Sequence, residues 1–296
     1  MLGAMDQAKT IRTYRDAVAI VTGGASGIGR SVSEELVKRS CEVVIADLQV
    51  DLAEEIASKL CLSGGKATAV KIDVTNYSAI DQLVRNTVQR TGRLDYMFNN
   101  AGIGIGGQVI HYGIEDWNYI VQVNLNGVIN GVQAAYKVMV AQGFGHIVNT
   151  ASMAGLIPNP GGVAYATTKH AVVGLSKSLR VEAVCLGIQV SVICPGVIRT
   201  PILEGGGKFG RMLIDIPPET VSRMWERFKP MPPGLFAERI LDAIAKNKAV
   251  IVEPSWWKWI WWINRLSPSL GITLAQKRFQ ADVNALTAGQ ENASSK

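Results

Sequence analysis

The sequence predicts an α/β fold: a doubly wound parallel sheet with helices on both faces, in a single domain carrying a small lid and a C-terminal extension. Three observations lead there. Short apolar runs of strand length alternate with helical stretches along the 296 residues. The turn Gly23-Gly24-Ala25-Ser26-Gly27-Ile28-Gly29 lies directly between the first apolar run and the first helical stretch. An acidic residue, Asp47, ends the second apolar run.

Taken in order, Ala17-Val18-Ala19-Ile20-Val21-Thr22 is apolar along its length, as a strand buried on both faces requires. The glycine turn hands over to a helix at 27–39. Glu42-Val43-Val44-Ile45-Ala46 forms the second strand, and the pattern predicts further strands at 67–72, 94–98, 145–150, 189–194 and 249–252. Helices fill the intervals at 51–60, 78–91, 115–141, 164–186 and 234–246. A sheet wound in this way takes its ligand at the carboxyl ends of its strands. No internal repeat or low-complexity tract interrupts the alternation.

Two local patterns carry chemistry. A strand, a glycine turn and a helix suit a dinucleotide pyrophosphate, because glycine lets backbone approach closely and a helix N-terminus offers unpaired N–H groups. The spacing Gly23-x-x-x-Gly27-x-Gly29 differs from the commoner Gly-x-Gly-x-x-Gly. Asp47, roughly 20 residues beyond the glycines, is placed to bind the adenosine ribose hydroxyls. It would repel a 2′-phosphate, and no Lys or Arg stands between Gly23 and Ile28 or from Ala46 through Ala53. NAD is therefore expected in preference to NADP. The second pattern is Tyr165-Ala166-Thr167-Thr168-Lys169, thirteen residues after Ser152. Residues at i and i+4 share a helix face, so the Lys169 ammonium can stand beside the Tyr165 phenol. A free phenol has a pKa of about 10. A neighbouring cation favours the phenolate and makes it a usable base.

Together these residues resemble the short-chain dehydrogenase/reductase family. Thr22 to Gly29 is similar to its cofactor loop, Asp73-Val74 to its adenine-contacting pair, and Asn99-Asn100-Ala101-Gly102 to its segment after the fourth strand. Asn124, Ser152, Tyr165 and Lys169 fall where the family carries its catalytic tetrad, and Pro195-Gly196-Val197-Ile198-Arg199-Thr200 matches its turn after the sixth strand. The resemblance spans about residues 16 to 252 and implies a Rossmann fold. It implies that Tyr165 exchanges a proton with an alcohol or ketone while hydride passes to or from nicotinamide. Lys169 then lowers the Tyr165 pKa and binds the nicotinamide ribose. Ser152 holds the substrate oxygen, and Asn124 holds a relay water. Cofactor contacts are implied at Gly23, Ser26, Gly27, Ile28, Gly29, Asp47, Asp73, Val74, Asn100, Pro195, Val197 and Thr200, besides Tyr165 and Lys169. A homodimer or homotetramer pairing through the two long helices is implied as well. The resemblance divides the chain into an N-terminal extension (1–15), a catalytic domain (16–253, with a lid at about 201–233) and a C-terminal extension (254–296). The expected activity is interconversion of a secondary alcohol and a ketone. The alternatives are an NADPH-dependent 3-oxoacyl reductase, which Asp47 disfavours, and a non-enzymatic cofactor-binding or membrane scaffold, which would need no proton relay.

Composition agrees. A hydrophobic content of 48% with 18% charged residues suits a large buried sheet. Cys41, Cys61, Cys185 and Cys194 show no Cys-x-x-Cys spacing, which points to plain thiols in a reducing, cytoplasmic setting. His111, His146 and His170 are scattered, so no metal is expected. The first sixteen residues lack the apolar core of a signal peptide. A pI near 9.1 invites nucleic acid, but no basic–aromatic sheet or recognition helix supports that partner.

Beyond Thr200 the pattern changes. Met212, Leu213, Ile214, Met224, Trp225, Phe228 and Met231 are candidates to line an apolar substrate pocket, with a glycine hinge at 205–207. Packing of a short helix on the sheet explains the same residues. The tail opens Trp256-Trp257-Lys258-Trp259-Ile260-Trp261-Trp262, holding five of the seven tryptophans. As a helix, 255–266 is about 18 Å long, short of the roughly 30 Å hydrocarbon core of a bilayer. Residues 256–296 carry five basic and two acidic side chains, a net +3 against +6 for the chain. Peripheral membrane contact through 256–266 and burial against the substrate pocket or a second subunit stand as equal readings. From Ala288 onward the polar tail reads as a frayed terminus.

Overall fold

The computed structural model describes residues 10–204, 209–214 and 216–294, so the hinge read at 205–207 lies outside the described residues. The chain runs β1 (Val18–Thr22), α1 (Gly27–Lys38), β2 (Glu42–Asp47), α2 (Val50–Leu62), β3 (Lys66–Lys71), α3 (Tyr77–Thr91), β4 (Tyr96–Asn99) and β5 (Gly104–Gly106). It continues through α4 (Ile114–Val121), α5 (Gly127–Gln142), β6 (Gly145–Thr150), α6 (Val163–Ala183), β7 (Ile188–Pro195), β8 (Gly210–Met212), α7 (Pro218–Glu226), α8 (Pro233–Ala245) and β9 (Val250–Glu253). Two further helices, α9 (Trp257–Leu266) and α10 (Pro268–Ser294), close it.

Seven strands form one parallel sheet in the order β3-β2-β1-β4-β6-β7-β9. The doubly wound expectation holds. Every strand of that sheet was predicted from its apolar run, within two residues at each end. Side chains alternate between two cores, as a two-residue strand period demands. Val18 and Ile20 face a layer containing Leu83, Val132 and Val172, while Ala19 and Val21 face one containing Leu36, Ile56 and Phe236. Local chemistry sets the helix ends. Asn76 accepts a hydrogen bond from Ala79 N (3.1 Å) at the start of α3, and α8 begins at a proline, whose missing N–H would be unpaired there anyway. Strand order reverses between β1 and β4, which opens a crevice at their carboxyl ends.

Residues 10–16 join this core. Tyr14 stacks on Tyr96 at 5.2 Å and donates to Leu241 O, while the buried Asp95 carboxylate accepts from Arg12 N, Val18 N and Arg93.

Four features depart from the sequence pattern. The helix expected at 115–141 is broken by a π turn at Gln122–Asn126, where Gly127 N donates to Gln122 O. The cause lies in Asn124, fully buried, whose amide pairs with Ile103: Ile103 N donates to Oδ1 (2.8 Å) and Nδ2 donates to Ile103 O (2.9 Å). Second, β5 and β8 form a small parallel pair that ties residues 210–212 to the segment after β4, with Leu213 N donating to Gly106 O (2.8 Å). Third, Met231 packs with Ile198 and Phe236 in the core on the far face of the sheet, not in an apolar substrate pocket. It is held there because its N–H donates to Val197 O and its carbonyl accepts from Arg199 N. Fourth, α10 continues as helix to Ser294, through the stretch read as frayed.

Candidate active site

The glycine turn is shaped by close approach. Gly23 has φ +62, and a Cβ built there would lie 2.8 Å from Ala101 Cα; at Gly29 it would lie 2.0 Å from Gly23 O. Only glycine fits either place. Ser26 precedes α1 without capping it through its side chain, and no acid stands in the first turn, so the helix N-terminus offers N–H groups outward. Thr22 and Asn100 support the turn from β1 and β4. Thr22 Oγ1 accepts from Asn100 N (2.9 Å) and Ala101 N (3.1 Å), and Asn100 Nδ2 donates to Thr22 O (3.0 Å). Thr22 was quoted in the sequence motif but not singled out; a threonine at a strand end beside a glycine turn was the available signal. Ile28 packs from the first turn of α1 against the core beneath.

Asp47 ends β2 almost buried, with Oδ2 accepting from Ala25 N (2.9 Å) and Oδ1 from Gln49 N (2.9 Å). It therefore braces the glycine turn, and each oxygen keeps a lone pair for another donor. Asp73 follows β3 and accepts from both Thr75 N and Thr75 Oγ1. Val74 packs against Gly127, and its carbonyl accepts from Asn130 Nδ2 (2.8 Å). After β7 the turn at Pro195 and Val197 is buried, and Thr200 reaches the start of α1, 3.3 Å from where a Gly27 Cβ would be. A pyrophosphate-sized anion fits this cradle: backbone donors, positive helix end and missing side chains converge on it.

Ser152, Asn124, Tyr165 and Lys169 come together at the mouth of the same crevice. Tyr165 and Lys169 share one side of α6, with Nζ 5.4 Å from the phenol ring centre. Lys169 Nζ donates to Thr150 O (2.9 Å), which holds it beside β6. Ser152 caps a 3-10 turn at Met153–Gly155, its Oγ accepting from Ala154 N (3.1 Å). Asn124 and Lys169 flank Gly102: a Cβ there would meet Asn124 Oδ1 at 3.2 Å and Nζ at 3.5 Å. Tyr165 is half-buried in an apolar cluster with Ile103, Ile105, Ile120 and the lid residue Leu213.

Burial governs the protonation of these groups. Desolvation pushes Lys169 from 10.5 down to about 8, against a smaller upward pull from Cys194. Tyr165 is raised by burial, and the Ser152 hydroxyl pulls it back. In the chain alone desolvation of the phenolate outweighs the Ser152 hydrogen bond, so the phenol is held above its ordinary value. His146 is remote from this chemistry, bonded to Ser191 Oγ (2.8 Å) and pushed down to about 3 by burial. Among the described residues no group of His, Cys, Asp or Glu could hold a metal ion.

Residues of the 203–228 stretch and of the tail pack onto the core. Asp116, buried in α4, forms an ion pair with Arg211 of β8. Leu156 and Ile157 after the Ser152 turn, Leu203, Trp225 and Phe228 of the 203–228 stretch, and Ile260 and Trp261 from α9 pack, half-buried, against the core cluster that includes Val172, Val252 and Trp257. Trp257 lies over Gly196, where a Cβ would be 2.2 Å from its Nε1, and its ring stacks on Phe228 at 5.7 Å. Nothing in the sequence pattern singles out Trp257 from the other four tryptophans of this run.

Comparison with known proteins agrees with this geometry. The family model described as short chain dehydrogenase matches residues 17–208. Oxidoreductase UcpA of Escherichia coli K12 is 35% identical over 187 residues, covering 63% of this chain and 71% of the relative. A 3-oxoacyl-[acyl-carrier-protein] reductase of Synechocystis is 34% identical over 188 residues, covering 63% and 76%. Among solved structures, a short chain dehydrogenase/reductase of Burkholderia phymatum in complex with NAD superposes with a TM-score of 0.79 at 26% identity, covering 88% of this chain and 96% of that one. With a matching family model over most of its length and a sheet wound in the same order as its motifs demand, the chain belongs to the short-chain dehydrogenase/reductase family, an oxidoreductase family acting on CH–OH groups.

Proposed function

We propose that this protein interconverts a secondary alcohol and a ketone with NAD, on a lipophilic substrate. One observation carries the reading: on α6 a half-buried phenol stands beside a buried ammonium, 5.4 Å from its ring centre, with Ser152 on the 3-10 turn that precedes this helix. NAD would be held by Gly23, Ser26, Gly27, Ile28 and Gly29 at the pyrophosphate. Asp47 would take the adenosine ribose, Asp73, Val74 and Asn100 the adenine side, and Pro195, Val197 and Thr200 the nicotinamide. When bound, the cofactor supplies a hydride acceptor, and its positive charge favours the phenolate. Tyr165 takes the hydroxyl proton as the C–H hydride leaves the same carbon, and returns it in reduction. Ser152 donates to the substrate oxygen and stabilises charge there. Lys169 is a cation at neutral pH, holds the nicotinamide ribose and opposes the burial that raises Tyr165. The Asn124 amide is engaged with Ile103, so backbone groups of the π turn are better placed to hold the relay water.

Preference for NAD rests on the Asp47 carboxylate and the absence of nearby cations in sequence. A lipophilic substrate is supported by Leu213, which packs in one cluster with Tyr165, and by the half-buried apolar side chains Leu203, Trp225, Phe228 and Trp261. The competing reading is an NADPH-dependent 3-oxoacyl reductase, favoured by the Synechocystis relative. We take the catalytic unit as 16–253 with a lid at 201–233, assembled as a homodimer or homotetramer through α4–α5 and α6. The four thiols are free, which fits a reducing, cytoplasmic setting. Tyr165→Phe decides the mechanism. Turnover should vanish while NAD binding, followed by calorimetry, stays within about two-fold, a change of about 0.4 kcal/mol. Retained turnover would remove Tyr165 as the base.

A further inference from the structure

Helices α9 and α10 have one face spent on the protein and one left bare. Facing inward, Trp257 lies over Gly196, Asn264 Nδ2 donates to Leu156 O (3.2 Å), Arg278 covers Phe228 at 4.1 Å and Asp282 takes a bidentate bond from Arg227. At roughly 100° per residue, the opposite side of α9 carries Trp259, Trp262, Ile263 and Leu266, and Trp256 precedes the helix with its ring stacked on Trp257. All are exposed, Trp259 by 74% and Leu266 by 80%. Leu270 and Leu274 repeat the apolar stripe on α10, with Lys277 one turn further. Lys258 and Arg265, seven residues apart, line one edge of the α9 stripe.

We infer that this outer face docks the enzyme on an anionic lipid surface, with α9 lying in the plane of the interface. Tryptophan favours the depth where hydrocarbon meets head groups, and the bordering cations fall where acidic head groups begin. Between residues 254 and 284 the one carboxylate is Asp282, already paired with Arg227 and near Arg278. A two-fold contact with a second copy would set Lys258 and Arg265 against themselves with no acid from this face to answer them, whereas an anionic surface neutralises them. No helix among the described residues is long and apolar enough to cross a membrane, so the contact is peripheral. The inference rests on the fold of the tail and not on the reaction proposed above.

The test uses the full-length chain in flotation with phosphatidylcholine vesicles and with phosphatidylcholine–phosphatidylglycerol vesicles. Partition should be about ten-fold stronger into the anionic vesicles, fall with added salt and bring a blue shift of tryptophan emission. The double variant Trp259→Glu/Leu266→Glu should lose about ten-fold in vesicle affinity, with unchanged turnover of a water-soluble alcohol. Four results would overturn the inference: flotation with neither vesicle, equal flotation with both, equal flotation of the variant, or a vesicle-free dimer that the variant dissociates. The last would assign the face to a second copy.

Discussion

Replacing Lys169 by methionine tests the electrostatic core of the proposed mechanism. The ammonium is 5.4 Å from the Tyr165 ring centre and buried. With an effective dielectric of about 20, and with the phenolate charge placed at the ring centre 5.4 Å away, the ammonium favours the phenolate by about 3 kcal/mol. Divided by 1.36 kcal/mol per pKa unit, that is about two pH units. Methionine keeps similar length and apolar bulk, so the change isolates the charge. In steady-state oxidation followed by nicotinamide absorbance, the rising limb of log kcat/KM against pH reports the base in the free enzyme. For Lys169→Met that limb should move about two units towards higher pH, leaving the rate at neutral pH about a hundred-fold lower. Binding of the nicotinamide ribose would weaken too, so cofactor must be kept saturating and kcat profiled alongside. The reasoning fails if the two profiles differ by a constant factor with the limb unmoved, since Lys169 would then serve binding alone.

The same lysine makes a stability prediction with a definite sign. Its pKa falls from 10.5 unfolded to about 8 folded, so below pH 8 folding carries the cost of a buried charge, about 3 kcal/mol. Between pH 8 and 10.5 the unfolded chain binds the extra proton and stability rises; urea denaturation of wild type minus Lys169→Met should show that rise, and a flat difference would refute it. Asp47→Ala should narrow the NAD over NADP ratio of kcat/KM by about ten-fold, or about 1.4 kcal/mol. An unchanged ratio would move cofactor choice to another group. Trp257→Ala should cost about 3–5 kcal/mol in urea denaturation because the indole is buried, while Trp259→Ala should change stability by less than about 0.5 kcal/mol. Equal costs would show that the two faces of α9 are wrongly assigned.

Much of the fold was legible because parallel strands buried on both faces are continuous apolar runs, as in β1 and β2, whereas the edge strand β3, Lys66–Lys71, has no buried residue and a weaker pattern. The π turn was not. Apolar spacing continues through Ile120 and Val128, and only the pairing of Asn124 with Ile103, 21 residues away, breaks the helix. Nor was the β5–β8 pair, since three-residue segments containing glycine carry no period to read. Convergence of Tyr165 and Lys169 followed from their four-residue spacing alone. The direction in which Tyr165 titrates did not, because burial by Ile103, Ile105 and Leu213 depends on distant segments folding over it. The tail hid its two faces for a simpler reason. Tryptophan occupies both, so the tryptophans alone do not tell inside from outside.

The contact of Trp257 with Gly196 ties two distant parts of the chain together. The indole belongs to the chain beyond β9, the last strand of the sheet, yet it covers the turn after β7, where a Cβ on Gly196 would lie 2.2 Å from its Nε1. Any side chain at position 196 would therefore have to displace the tail.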